Sequence, residues 1–197
     1  MEKKIKVLNL YAGIGGNRKL WKNVDVTAVE LDKNIAKIYQ DFFPEDKMVI
    51  GDAHKYLLEH YNEFDIVWSS PPCPTHSRIG KANTKRKIPY PDMKLYEEIL
   101  LLQGYFKGNW VVENVMSWYE PLIEPQILQR HYFWSNKVLG QKTFPVEKTC
   151  TTKDRERLTK LFGINIDKYT GIDKRKCLRN CVLPELGEYI LSKLTTK

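Results

Sequence analysis

"KIKVLNLYAGIGG", residues 4–16, decides the fold. "KIKVLNLY" has the apolar content of a buried strand, and Gly13, Gly15 and Gly16 follow it before a helix expected from about Asn17 to Lys22. Glycine there permits a tight turn and lets a ligand approach the backbone, although a plain strand-to-helix connection would use it too. Working outward, "DVTAVEL" reads as a second strand ending near Glu30. "DKNIAKIYQDFF" follows as a helix, with Ile35, Ile38, Tyr39 and Phe42 on one face. "KMVIGD" is a short third strand ending at Asp52, "AHKYLLEHY" a helix and "FDIVWSS" a fourth strand. "MKLYEEILLLQGYF" is a strong helix and "NWVVENV" a fifth strand. This alternation predicts an α/β fold, a mainly parallel twisted sheet with helices on both faces. Beyond it, "QRHYFWSN" reads as a further strand, "TTKDRERLTKLFG" as a helix that threonines can cap, and "LPELGEYILSKL" as a last amphipathic helix. No internal repeat or low-complexity linker interrupts residues 1–197, so a single domain is expected.

At 197 residues and 42% hydrophobic content the chain can build one well-cored domain. Its formal charge of +8 favours a polyanionic partner. The start of the chain has no apolar stretch long enough for a secretory signal, and no segment is long and apolar enough to span a membrane. A cytoplasmic location with free thiols at Cys73, Cys150, Cys177 and Cys181 is the expectation. Cys177 and Cys181 are four apart without a nearby histidine or third cysteine, so they read as packing, and no metal site is expected.

Three consecutive strand ends carry glycines, Glu30 and Asp52. A carboxylate at the second can accept the two hydroxyls of a ribose, and one at the third can accept from an adenine amino group. The pattern predicts a nucleoside pocket at the carboxyl edge of the sheet. No Gly-rich loop with a following Lys-Ser or Lys-Thr is present, which excludes a P-loop. In "DIVWSSPPCPTHSR", residues 65–78, Pro71 and Pro72 end the fourth strand and stiffen the backbone that carries Cys73. Cys73 is either a small buried apolar residue or a nucleophile. An oxidoreductase would leave that cysteine idle, whereas S-adenosylmethionine fits both features.

In order, "YAGIGG", "VELD", "GDA", "SSPPCPTHS", "VVENV", "PQILQR" and "LRNCVLPELGEYI" resemble the successive motifs of the cytosine-C5 DNA methyltransferases, over about residues 7 to 191. The resemblance implies a Rossmann-like S-adenosylmethionine-dependent methyltransferase fold. It implies cofactor contacts from Tyr11, Ala12, Gly13, Ile14, Gly15, Gly16, Glu30, Leu31, Asp52, Ala53 and Asn180. Cys73, behind Pro72, is by resemblance the nucleophile that adds to C6 of cytosine and makes C5 able to accept a methyl group. Glu113 would hold N3 and the exocyclic amine, Arg130 would contact O2, and Asn114 would tie down the proline-cysteine loop. Three positions depart from the pattern: Leu128 replaces an arginine, Leu31 an aromatic residue and Arg179 a glycine.

Arg78, Lys81, Lys85, Arg86 and Lys87 form a basic run that, beside a base-modifying site, is expected to close over the phosphate backbone while the base is turned out. Family members carry a long target recognition domain, for which only a segment at about residues 134–150 remains here. Specificity is therefore relaxed, carried by that loop and the basic run, or supplied by a separate specificity protein. DNA is the expected substrate. Cytosine in a structured RNA such as tRNA is the alternative, and a catalytically silent regulatory module is a third reading that Cys73, Glu113 and Arg130 oppose.

Overall fold

The computed structural model describes residues 4–78, 90–144 and 154–196. Seven strands form one sheet: β1 (Ile5–Leu10), β2 (Val24–Glu30), β3 (Lys47–Ile50), β4 (Ile66–Ser69), β5 (Asn109–Val115), β6 (Gln126–Leu128) and β7 (His131–Ser135). Their order is β3-β2-β1-β4-β5-β7-β6. The first five are parallel, and β7 runs antiparallel to both β5 and β6. Strand order reverses between β1 and β4, so a crevice opens beyond their carboxyl ends, where ligands bind in doubly wound sheets.

Among the described residues, six α-helices cover the two faces: α1 (Lys33–Phe42), α2 (Ala53–His60), α3 (Lys94–Tyr105), α4 (Asp154–Phe162), α5 (Lys174–Arg179) and α6 (Pro184–Thr195). Strand side chains alternate between the faces, as the pleat requires. Leu8, Val67 and Val112 pack on one side with α2 and α3, through Leu57, Ile99 and Leu102. Val7, Trp68 and Val111 pack on the other with α4, α5 and α6, through Phe162, Leu178 and Ile190. Trp68 is fully buried beside Trp21, at 5.5 Å between ring centroids, and its indole N–H donates to Ser70 Oγ.

The helix expected over Asn17–Lys22 is absent, and residues 17–20 are turns. The reason is tertiary. Arg18 makes a two-point ion pair with Asp46, at 2.7 and 2.9 Å, and also donates to Trp21 O. Helix α6 presses on the same backbone so closely that a Cβ on Gly187 would stand 2.3 Å from Asn17 O. Two elements escaped the sequence reading: β6, formed within "PQILQR", and the short α5, which Asp173 caps by accepting from Lys176 N–H. The segment at about 134–150 is described only as far as Phe144. No helix among the described residues is long and apolar enough to cross a membrane.

Candidate active site and cofactor cleft

At the end of β1 the chain turns through Tyr11, Gly13 and Gly15, all with positive φ. Gly13 has φ +56°, and a Cβ built on it would meet nothing within 4 Å, so its backbone faces open space. Gly15, at φ +83°, and Gly16 are there for packing instead. A Cβ on Gly15 would come 2.2 Å from the Phe43 ring, and one on Gly16 would stand 2.6 Å from Cys181 Cβ. Glu30 accepts from Gly13 N–H and from Asp32 N–H, each at 3.0 Å, so its carboxylate is fixed over the turn. Asp52 caps α2 by accepting from Lys55 N–H, the bond that chiefly holds its carboxyl below the usual range. Leu31 and Ile50, at the ends of β2 and β3, are 72% and 61% exposed and offer apolar surface at this edge. Ala12, Ile14 and Ala53 are buried, so at these positions it is the backbone that faces a ligand in the cleft.

Cys73 follows β4 in a loop fastened to the end of β5. Asn114 Nδ2 donates to Pro71 O at 3.0 Å, Trp118 N–H to His76 O and the Trp118 indole to Thr75 O. Pro72 is exposed while Pro71 is buried. His76 and Ser77 both return N–H bonds to Cys73 O, which curls the loop directly after the cysteine. Burial pushes the Cys73 thiol up, the Glu113 carboxylate adds to the rise, and Lys176 and Arg179 on α5 pull it down. Glu113 is buried on β5. Among the described residues, the basic side chain that reaches it is His131 on β7, with Nδ1 3.3 Å from Oε1 but without hydrogen-bond alignment. Arg130, expected to share a clamp with Glu113, lies exposed in the β6–β7 turn. Asn180 stands exposed at the end of α5, after Arg179. Lys81, Lys85, Arg86, Lys87 and Cys150 lie outside the described residues; Arg78 is described, with Nε on Ser117 O.

The largest feature that sequence reasoning missed is a buried acid. Glu98 on α3 is fully buried, and its carboxyl group gathers Tyr11 OH at 2.6 Å, Ser69 Oγ at 2.5 Å and His54 Nδ1 at 3.1 Å. These partners come from the end of β1, the end of β4 and from α2, so the network joins the glycine turn to the strand that leads to Cys73. The hydrogen bond to Glu98 chiefly raises the His54 pKa, with the Glu98 and Glu97 charges adding to it. A signal was present: Glu98 shares the spacing of Leu95, Ile99 and Leu102, the buried stripe of its helix.

The sheet and its crevice define a Rossmann-like α/β fold. A family model described as C-5 cytosine-specific DNA methylase matches residues 5–117, and the chain belongs to that family. Type II methyltransferase M1.HgaI of Avibacterium volantium is 36% identical over 91 residues, which are 41% of this chain and 26% of that one. A tRNA (cytosine(38)-C(5))-methyltransferase of Spodoptera frugiperda is 32% identical over 84 residues, 39% of this chain and 25% of that one. These matches thus span about a quarter of each relative's length. Among solved structures, Entamoeba histolytica methyltransferase EhMeth is similar with a TM-score of 0.38 at 20% identity, over 58% of this chain and 39% of that one.

Proposed function

We propose that this chain methylates C5 of cytosine in DNA through a covalent bond between Cys73 and C6 of a base turned out of its helix. The observation that carries this reading is the Cys73 loop, bonded to the end of β5 beside a buried Glu113 whose charge acts on the thiol. Cytosine C5 is a weak nucleophile. Addition of the Cys73 thiolate to C6 pushes an electron pair toward N3 and leaves C5 enamine-like. Glu113 in its protonated form would donate to N3 and accept from the exocyclic amine, so the electron pair that arrives at N3 is held by a hydrogen bond. Once C5 has taken the methyl group, loss of the C5 proton returns the electron pair, breaks the bond to Cys73 and restores the ring. Arg130 is well placed for the sugar-phosphate or base edge because it is exposed in the turn beside this site.

The cleft suits S-adenosylmethionine. Glu30 would take the ribose hydroxyls, Asp52 the adenine amino group, Leu31 and Ile50 the faces of the base, and the open backbone at Gly13 the close approach. The bound cofactor supplies an electrophilic methyl group on sulfur. A second reading, transfer to cytosine in tRNA, draws support from the Spodoptera frugiperda relative. With only a short segment where a recognition domain would stand, a separate specificity protein fits either reading. The test is transfer of labelled methyl from S-adenosylmethionine to duplex DNA, single-stranded DNA and bulk tRNA, by the wild type and by Cys73→Ala. Label in duplex DNA that vanishes in the variant is expected; label in tRNA alone would replace the DNA reading with the RNA one.

A further inference from the structure

We propose that the cavity between the Cys73 loop and the chain after β5 is a stacking site for an unpaired nucleobase adjacent to the target cytosine. The cavity measures about 490 Å³, and its walls include Arg78, Trp118, Tyr119, Glu120, Pro121 and Tyr132. That volume lies in the range of small-ligand sites and suits one nucleotide. Its chemistry is equally specific. Trp118, Tyr119 and Tyr132 give it an aromatic lining suited to a planar base, the Glu120 carboxylate can accept from an exocyclic amine, and the Arg78 guanidinium suits a phosphate. Trp118 and Tyr119 meet edge to face, 5.2 Å apart, so each ring holds the other in place.

Its position ties it to the reaction, and in this respect the inference rests on the cytosine reading. One wall is the loop that carries Cys73: Ser77 bridges to Ser117, the Trp118 indole donates to Thr75 O, and Arg78 Nε donates to Ser117 O. The opposite wall includes Tyr132, which pairs with Asn114 across β5 and β7. Glu113 is the next residue along β5, so its side chain emerges on the other face of the sheet. The loop that carries Cys73 is thus common to the cytosine site and the stacking site, and a strand crossing that loop would present successive bases to the two. A neighbour held in this way must leave its own stack. The cavity therefore reads whether the base beside the target is unpaired, a selection that needs no large recognition domain.

Binding of a fluorescein-labelled single-stranded DNA oligonucleotide with one cytosine among thymines tests the inference. It is compared with the same strand carrying an abasic residue on the 5′ or the 3′ side of the cytosine. Cys73→Ala is the background throughout, so that binding is read without chemistry. Removing the base on one side should weaken binding about 5- to 150-fold, from the roughly 1–3 kcal/mol that one stacked base contributes. Adding Trp118→Ala should reduce that factor to less than about twofold. Trp118→Phe keeps a ring but loses the bond to Thr75, and it should retain the flank sensitivity. Arg78→Ala should weaken every strand alike. The inference is overturned if the wild-type pocket shows no flank sensitivity, if Trp118→Ala leaves it unchanged, if Trp118→Phe abolishes it as fully as Trp118→Ala, or if no strand binds. Duplex DNA with a paired or mismatched neighbour, and the RNA form of the strand, identify which nucleic acid supplies the base. Flank-sensitive binding without any methyl transfer would sink the methyltransferase reading alone, and methyl transfer without flank sensitivity would sink this one alone.

Discussion

At the β1–β3 edge both oxygens of Glu30 already accept backbone N–H groups, whereas near the β5–β7 edge His76 Nε2 and Gln129 Nε2 are buried without a hydrogen bond and His131 Nδ1 meets Glu113 without alignment; deeper in the fold Asn9 Nδ2 and Trp21 Nε1 are unbonded as well. At the β1–β3 edge the carboxylates of Glu30 and Asp52 stand fixed by backbone N–H groups of the chain itself. The base edge holds polar atoms whose unmade bonds each cost about 1–3 kcal/mol. In a folded protein such groups are completed by a water or by a ligand. Under the proposed function, one end of the crevice is preorganised for the cofactor and the other is left for the substrate to complete.

The largest effect should come from the base edge. Cys73→Ala should lower methyl transfer at least about a thousandfold while leaving the unfolding midpoint near that of the wild type, since it removes a nucleophile and not a packing contact. Retained transfer would mean that Cys73 is not the nucleophile. On the cofactor edge the two glycines should part company. Gly15→Ala forces a Cβ to 2.2 Å from Phe43 at φ +83°, and chemical denaturation should show a loss of about 2–4 kcal/mol. Gly13→Ala should cost about 1–2 kcal/mol in stability, from its φ alone. Its greater effect should be on S-adenosylmethionine affinity, measured by calorimetry, because the new methyl group enters open space in the cleft.

Glu98→Gln sharpens the contrast from inside the fold. It weakens the acceptor of three hydrogen bonds and should destabilise the protein by about 1–3 kcal/mol. It should also change the dependence on pH. Because the folded-state pKa of His54 is raised, its contribution is fully present below the ordinary histidine value of about 6.5 and is lost as pH rises through the higher folded value. Wild-type stability should therefore fall slightly across that window, and the variant should show a flatter profile. An equally steep profile in the variant would detach His54 from Glu98. The smallest change is expected for Arg130→Ala. Exposed in its turn, Arg130 should contribute less than about 0.5 kcal/mol to stability, while nucleic-acid binding weakens measurably.

The five parallel strands, the glycine turn and the Cys73 loop were legible because each is written locally, as apolar runs bounded by glycine or proline. β5 matches its expected span from Asn109 to Val115, and α2 runs from Ala53 to His60 within the stretch expected for it. The false helix at Asn17–Lys22 shows the limit of such reading. Nothing in "NRKLWK" announces that Arg18 is claimed by Asp46, or that Asn17 lies under Gly187. Likewise His131 was passed over beside Arg130, although the turn between β6 and β7 gives the position near Glu113 to the histidine and leaves the arginine exposed.

By itself the sequence determined the α/β alternation, the strand ends that carry Glu30, Asp52 and Cys73, and the order of motifs that marks the family. These depend on short-range periodicity and on backbone geometry that glycine and proline impose on their neighbours. Only the tertiary structure decided that Glu98 would draw Tyr11, Ser69 and His54 together, and that the Cys73 loop would share a cavity with Trp118 and Tyr132. Those contacts join residues distant along the chain. Their partners are chosen by the order of strands in the sheet and by which face each side chain meets, neither of which a local pattern can specify.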